Sequence, residues 1–234
     1  ANNNLHVVGY STAVDVSLSL DELQEHLHSL PDKPEAIPYV TSYYSDRWGF
    51  CLTHLQRAAL VPDTYRAVIR ARKFQGVMNY AELIIPGESS KEVFLSTYIC
   101  HPSMANNEVS GPSVLTFVAK WLQSAPRHFT YRLVFLPETI GAIYYLSQHL
   151  EHLRQHVHVG FNISCVGDDR NYSFVSSRKG QTLADRIASH ILPILSPSYV
   201  RHSFLERASD ERQYGSPLVD LPLVSLSRTK YGCY

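Results

Sequence analysis

A histidine and several carboxylates stand directly after the apolar segments that the sequence predicts to be buried strands. His101 follows the first of these segments, Glu138 follows the second, and Asp168 and Asp169 follow the third. In an open α/β sheet, ligands bind beyond the carboxyl ends of the parallel strands, so these side chains are predicted to meet in one cleft. Zinc accepts imidazole and carboxylate donors in proteins. The spacing therefore predicts a zinc site at this edge of the sheet.

Glu138 has two interpretations that the local sequence leaves open. It follows an apolar strand and a proline, so partial desolvation is predicted to raise its pKa toward the range of a general base. Near a metal-bound water it would then take the proton. It also stands in the first turn of a predicted helix, where a carboxylate gains roughly 0.3–1 kcal/mol from the helix dipole.

The remaining polar residues near the predicted cleft also have structural alternatives. Asp168 and Asp169 are typical of a turn. Asp210 and Glu211 are equally compatible with a surface salt-bridge cluster that includes Arg212. For substrate binding, the candidates are Asn107, Glu108, Asp169, Asp210 and Glu211.

Strands and helices alternate from about residue 78 onward. Short, continuous, β-branched runs are typical of strands buried on both faces, and they occur at 81–87, 93–99, 131–137, 159–167 and 221–226. Amphipathic helices are predicted at about 111–123, 140–150 and 182–195, the last with Thr182 as its N-cap. This alternation predicts an α/β fold with a mainly parallel central sheet flanked by helices.

The N-terminal third has a different pattern. A capping box at Ser19 and Glu22, followed by leucines at helical spacing, predicts a helix over residues 19–30. Aromatic and alternating segments predict a small β-rich insertion or lid over residues 38–80, which would wall the pocket. Residues 1–37 are then the N-terminal part of the main domain, and residues 81–234 are its α/β core.

Composition excludes several classes of function. The chain has 234 residues, of which 44% are hydrophobic, and its 21 basic residues balance 21 acidic ones. Neither a nucleic-acid surface nor an anionic-membrane surface is therefore predicted. No apolar run reaches the roughly 20 residues that span a bilayer, and the N-terminus lacks the layout of a signal peptide, which favours the cytoplasm. The four scattered cysteines are interpreted as structural thiols.

Four segments taken together resemble a known family. They are STYICHPSMANNEVSGP (96–112), FLPETIGAIYYL (135–146), CVGDDRNYSF (165–174) and SDERQYGSPLVDLP (209–222). These segments are similar to those of bacterial aminopeptidase-like-domain proteins associated with polysaccharide biosynthesis, which are distant relatives of the co-catalytic zinc aminopeptidases. The resemblance covers nearly the whole chain and implies their three-layer, phosphorylase-like fold.

The resemblance carries over only part of the zinc chemistry. It places a metal histidine of the zinc aminopeptidases on His101 and their general-base glutamate on Glu138. Three further ligand positions of that family fall on the uncharged residues Asn107, Thr139 and Ser164. A two-zinc site is therefore not expected, and a single zinc would be held by His101 with Asp168 or Asp169 as a substitute ligand. The family's pocket motif before the last strand places Asp210 near the substrate.

The resemblance implies hydrolysis of a peptide or amide bond in a small peptide or amino-acid-like substrate, and a homo-oligomer is compatible with it. It also implies a Tyr-His-Thr motif with the last metal histidine beyond Tyr234, so the chain is expected to be truncated at the C-terminus. The alternative is a catalytically degenerate binding or scaffold domain linked to polysaccharide biosynthesis. The replaced ligand positions favour that alternative.

A third hypothesis makes Cys100 or Cys165 a nucleophile. Cys100 adjoins His101, but neighbouring residues of a strand point to opposite faces of the sheet. A hydrogen-bonded Cys-His pair is therefore not expected.

Overall fold

The computed structural model describes residues 6–101 and 104–230, and the chain divides into two compact units after Gly76. The elements of the first unit are β1 (Val14–Ser19), α1 (Leu20–Gln24), β2 (Leu27–His28), β3 (Phe50–Cys51), α2 (His54–Ala58) and β4 (Thr64–Ile69). β1 pairs antiparallel with β4, and β2 pairs parallel with β3. Leu23, Leu27 and Ala67 form the buried centre of this unit.

The predicted helix over residues 19–30 is wrong in its length. Its capping box is present, since the Ser19 side chain accepts from the Glu22 N–H and the Glu22 carboxylate accepts from the Ser19 N–H. The helix contains only five residues, however, and Leu27 lies in β2, paired with β3. Leu23 and Leu27 still share one core, so a helix followed by a strand accounts for their spacing. Pairing with a distant strand overrides the local helical pattern.

The strands of the segment 38–80 pair with strands that precede this segment in the sequence. β3 and β4 pair with β2 and β1, and both of those strands precede residue 38. The segment also contains α2, which begins with a capping box at Thr53. Residues 6–76 therefore fold as one unit, and the role of a lid stays a prediction.

The second unit contains the predicted alternation of strands and helices. Its strands are β5 (Ala81–Ile85), β6 (Ser89–Tyr98), β7 (Phe129–Leu136), β8 (Val157–Ile163), β9 (Ser173–Val175), β10 (Val200–His202) and β11 (Leu223–Ser227). Its helices are α3 (Ser110–Gln123), α4 (Ile140–His156), α5 (Leu183–Leu195) and α6 (Glu211–Tyr214). A π-helical turn, Ala105–Val109, leads into α3.

The strands of this unit form a seven-stranded sheet in the order β10-β9-β11-β8-β6-β7-β5. The four central strands β7, β6, β8 and β11 run parallel. β5 joins β7 antiparallel, and β9 joins β11 antiparallel. The mainly parallel sheet is confirmed, and so are the five predicted strands. The sequence did not predict β9 and β10, because three residues are too few to form a recognisable apolar run.

Helices cover both faces of this sheet, as the three-layer prediction requires. Leu115 of α3 and Ala188 of α5 belong to one buried cluster, together with Leu95 of β6. Tyr145 of α4 belongs to the other cluster, together with Phe94 of β6. Adjacent residues of β6 thus enter opposite cores, because side chains alternate along a strand. The N-cap predicted at Thr182 is also confirmed, and it forms a capping box with Asp185 at the start of α5.

Gly111, in the first turn of α3, packs directly against the sheet. A Cβ atom at this position would clash with Thr97 Oγ1 and with the backbone oxygen of Ile163. The absence of a side chain therefore lets the start of α3 approach β6 and β8, and this approach holds the preceding turn at the edge of the sheet. No helix in residues 6–101 or 104–230 has the length and apolar character needed to cross a bilayer.

Candidate active site

Two neighbouring parallel strands bring the central pair of the site together. Tyr98 and Leu136 are the last residues of β6 and β7, and they are paired in the sheet. The chain then continues to His101 on one side and to Glu138 on the other. His101 Nε2 lies 3.6 Å from Glu138 Oε2. The shared end of the two strands therefore explains why these side chains meet.

Glu108 orients the ring of His101. This carboxylate is 9% exposed and lies in the π-helical turn before α3. Its Oε1 lies 2.5 Å from His101 Nδ1, and its Oε2 accepts the Cys100 N–H at 2.5 Å. In the tautomer that this contact favours, Nδ1–H donates to Glu108 while Nε2 faces Glu138. Metal-binding histidines commonly have this arrangement, with a carboxylate fixing the ring from the far side.

Cys100 also belongs to the site, which the sequence analysis did not expect. Its Sγ lies 3.1 Å from His101 Nδ1 and accepts the Glu138 N–H at 3.2 Å. The argument that neighbouring residues diverge was wrong here, because β6 ends at Tyr98 and the alternation of a strand no longer applies. Hydrogen bonds to Cys100 and Glu108 raise the pKa of His101. Burial raises the pKa of the Cys100 thiol.

The other cysteines agree with the prediction of structural thiols where the structure describes them. Cys51 and Cys165 are buried thiols. Cys233 lies outside the described residues.

A loop before α6 supports Glu138. The Ser209 hydroxyl donates to Glu138 Oε1 at 2.6 Å. Burial raises the pKa of Glu138 above its ordinary value, and the Ser209 hydrogen bond and His101 only partly offset that effect. α4 begins at Ile140 and its first turn contains no acidic residue, so Glu138 lies outside the helix, and its role as a general base stays a prediction.

Asp210 and Glu211 are buried, so the alternative of a surface salt-bridge cluster is wrong for them. Asp210 Oδ1 accepts the Thr139 N–H at 2.7 Å. Glu211 Oε1 accepts the N–H groups of Ala208 and Ser209 at 2.9 and 3.2 Å. Burial raises the pKa of Asp210, and the charges of Glu138 and Glu211 add to that effect. These carboxylates fix the loop that presents Ser209 to Glu138.

Asp168 lies in the loop after β8 and is held there by Asn106, a contact that the sequence did not indicate. Asn106 Nδ2 donates to Asp168 Oδ2 at 3.1 Å, and Asn106 Oδ1 accepts the Gly167 N–H at 2.7 Å. Burial of Asp168 is outweighed by its hydrogen bonds, chiefly from the Arg170 N–H, so its pKa lies below the ordinary value. The Asp169 side chain is fully exposed. Neither aspartate belongs to the group of potential metal ligands around His101.

The residues around His101 fit a zinc ion. Donor atoms of Cys100, His101 and Glu138 all lie within 4.8 Å of one another. Zinc accepts sulfur, nitrogen and oxygen donors at about 2.0–2.3 Å in a tetrahedron, which places neighbouring donors about 3.3–3.6 Å apart. The separation of 3.6 Å between His101 Nε2 and Glu138 Oε2 would place this carboxylate beside an ion held by the ring. The fit rests on this donor set.

Three further ligand positions of the zinc aminopeptidases are uncharged in this chain. Asn107 and Ser164 are buried, and Asn107 Nδ2 contacts Cys165 Sγ at 3.6 Å. Thr139 has a φ of 63°, which is rare for a residue with a branched side chain. None of the three supplies an anionic oxygen, so a two-zinc site of the usual composition is not supported.

Comparisons with known proteins agree with this architecture. Residues 11–234 match the model of the domain of unknown function DUF4910. A Clostridium acetobutylicum protein, named as a candidate polysaccharide biosynthesis protein with an aminopeptidase-like domain, is 40% identical over 230 residues. The match covers 98% of this chain and 53% of that protein, so the chain spans about half the length of this relative.

Two solved structures have the same fold. A crystal structure of a candidate peptidase from Clostridium acetobutylicum is 40% identical with a TM-score of 0.93, over 98% of this chain and 54% of that one. BSAP, a zinc aminopeptidase from Bacillus subtilis, has a TM-score of 0.63 at 13% identity, over 96% of this chain and 68% of its own. At 13% identity, the similarity to BSAP concerns the fold alone.

Proposed function

Because this chain belongs to the DUF4910 family and shares its fold with a zinc aminopeptidase, we propose that it is a zinc-dependent, aminopeptidase-like hydrolase of peptide or amide bonds. One observation carries the proposal: His101 Nε2 faces Glu138 Oε2 at 3.6 Å while Glu108 holds the opposite ring nitrogen. A histidine oriented in this way, beside a carboxylate of raised pKa, is suited to metal-assisted hydrolysis.

Each residue of the central group has a separate role. His101 would hold one zinc ion, and Glu108 would keep its ring in the required orientation. Glu138 would take a proton from the attacking water and return it to the leaving amine, while Ser209 fixes its carboxylate. Zinc, when bound, supplies Lewis-acid polarisation of the scissile carbonyl group and of water.

The charge of the site favours a substrate with a free amino group. Glu108 and Glu211 both act electrostatically on Glu138, and Glu138 acts on Asp210. An excess of acidic groups attracts a cation to the cleft. A small peptide or an amino-acid amide fits this requirement. Asn107 and Asp169 keep their assignment to substrate binding as a proposal.

A degenerate binding domain is the second candidate. The uncharged side chains at Asn107, Thr139 and Ser164 favour it, because they leave fewer anionic groups for a metal. The relative named for polysaccharide biosynthesis suggests that such a domain would recognise a sugar or an amino-acid-like group in that pathway.

Hydrolysis of aminoacyl anilides is expected to follow the zinc content of the chain. Removing the metal with a chelator should abolish turnover, and added zinc should restore it up to about one equivalent, since a two-zinc site of the usual composition is not supported. Magnesium should not restore it, because imidazole is a poor ligand for that ion. An N-acetylated anilide serves as the matched control and should be hydrolysed more slowly. Equal turnover in metal-free protein would contradict the proposal, and absence of both zinc and turnover would favour the binding domain.

A further inference from the structure

Arg228 is a partly desolvated arginine at the edge of the sheet where the candidate active site lies. It directly follows β11, which runs parallel to the strands that lead to His101 and Glu138. Its side chain is 20% exposed, and its Nε is buried without a hydrogen-bond partner among the described residues. Its Nη2 forms a long ion pair, at 4.0 Å, with Asp169, whose side chain is fully exposed. The guanidinium group has therefore lost most of its hydration without gaining a close acceptor at Nε or Nη2.

The ring of Tyr172 holds this guanidinium group in place. The Cζ atom of Arg228 lies over the ring, 4.1 Å from its centroid, which is a cation–π contact. The planar fork of an arginine matches the two oxygens of a carboxylate and forms short, charge-assisted hydrogen bonds with them. Arg132, which is also largely buried, already has the carboxylate of Glu92 in this role. Arg228 is thus arranged for a carboxylate at hydrogen-bonding distance, which Asp169 does not provide.

The contacts of Arg228 connect it to the candidate active site. Its backbone N–H donates to the carbonyl oxygen of Cys165 at 2.9 Å, and Cys165 Sγ lies 3.6 Å from Asn107 Nδ2. Asn107 precedes Glu108, the carboxylate that holds the ring of His101. In the sheet, only β8 lies between β11 and β6, so the ends of these two strands are two strand spacings, or about 10 Å, apart. Arg228 therefore lies within reach of a ligand that is bound at His101.

We propose that Arg228 binds the terminal carboxylate of a short peptide substrate whose amino group lies near the acidic residues of the site. This inference rests on the proposed function, because it narrows the substrate of that site to free peptides. A fully extended peptide spans at most 3.3–3.6 Å per residue, so about three residues cover the distance of about 10 Å between the strand ends. Arg228 and the acidic group around Glu138 then bind opposite ends of one zwitterion and orient it in the cleft.

Comparison of trialanine with trialanine amide measures the contribution of the carboxylate, because the amide differs only in lacking that charge. Binding of each peptide to the metal-free chain is followed by isothermal titration calorimetry, so that the peptides are not hydrolysed. Trialanine should bind about 10–100-fold more tightly than the amide, the usual strength of hydrogen bonds to a charged group. With the zinc-loaded chain, the same preference should appear in KM.

Two arginine variants test whether Arg228 causes that preference. Arg228→Met should bind trialanine about 10–100-fold more weakly than the wild type and should no longer distinguish it from the amide. Arg66→Met, which removes an exposed positive charge of the first unit, should keep the preference of the wild type. Circular dichroism shows whether each variant is folded. If Arg228→Met does not fold, Arg228→Lys replaces it and should reduce the preference, because lysine keeps the charge but lacks the planar fork.

The possible outcomes separate this inference from the proposed function. Equal binding of trialanine and its amide by the wild type would overturn the role of Arg228 and leave the zinc hydrolase intact, and so would an unchanged preference in the folded Arg228 variant. Tighter binding of inorganic phosphate than of trialanine would overturn the assignment of a peptide carboxylate in favour of a phosphorylated ligand. A preference that depends on Arg228 in a zinc-loaded chain without turnover would support the carboxylate subsite, overturn the hydrolase and favour the binding domain.

Discussion

Replacement of Glu138 by glutamine is expected to lower turnover of the best anilide substrate by about 10²–10⁴-fold, the usual contribution of a positioned general base. Glutamine has nearly the same shape and still accepts the Ser209 hydrogen bond, but it cannot take a proton. The loss should appear in kcat, because the substrate-binding surface is unchanged. The measurement is steady-state hydrolysis by the zinc-loaded protein.

The same variant separates a base from a metal ligand. If Glu138 acts as the base, Glu138→Gln keeps about one equivalent of zinc and loses only turnover. Glu88→Gln is the matched control, because Glu88 also faces a histidine, His128 at 3.2 Å, but on the surface. Its turnover should equal that of the wild type. Unchanged turnover in Glu138→Gln would exclude the mechanism.

Replacement of Arg132 by methionine is expected to destabilise the sheet unit by about 3–5 kcal/mol, the cost of removing one member of a buried ion pair. Arg132 is 6% exposed and lies on β7. Its Nε and Nη2 donate to the two oxygens of Glu92 at 2.7 and 3.0 Å, and it also contacts Glu82 and Tyr145. Hydrogen exchange of the slowest amides in β6 and β7 measures the loss.

Lowering the pH should reduce the difference in stability between the wild type and Arg132→Met. Burial raises the pKa of Glu92, but hydrogen bonds from Arg132 and His152 outweigh burial and hold it below its usual value of 4.5. Its contribution to stability is therefore present above pH 4.5 and is lost as the pH falls through the lower, folded-state pKa. Arg178→Met is the control, because the Arg178–Asp220 pair is partly exposed and should be worth about 0–1 kcal/mol. Equal losses in the two variants would contradict the interpretation.

The regular helices and strands were predictable because the pattern of their buried, apolar residues is visible in consecutive positions of the sequence. β6, β7 and β8 each contain a run of apolar residues, and Thr182 marks the start of α5 as its N-cap. α1 was predicted too long because Leu27 satisfies helical spacing equally well from a paired strand. The short strands β9 and β10 depend on tertiary pairing and have no local pattern of their own.

The site was predictable only where strand geometry determines it. His101 and Glu138 follow paired strand ends, so the parallel sheet itself brings them together. The contact of Cys100 with His101 and that of Ser209 with Glu138 depend on backbone paths beyond the strands. One such backbone path includes Thr139, whose positive φ is not predicted by any residue spacing. Loop conformation therefore limits what the sequence can indicate about the ligands.

Zinc content of the purified, untagged chain tests the central claim, that His101 holds a metal ion beside Glu138, most directly. Elemental analysis after dialysis against trace zinc should find about one equivalent per chain in the wild type and essentially none in His101→Ala, since His101 supplies the imidazole ligand. Both proteins should have the same circular dichroism spectrum. A folded wild-type chain that retains no zinc would contradict the metal site and, with it, the hydrolase.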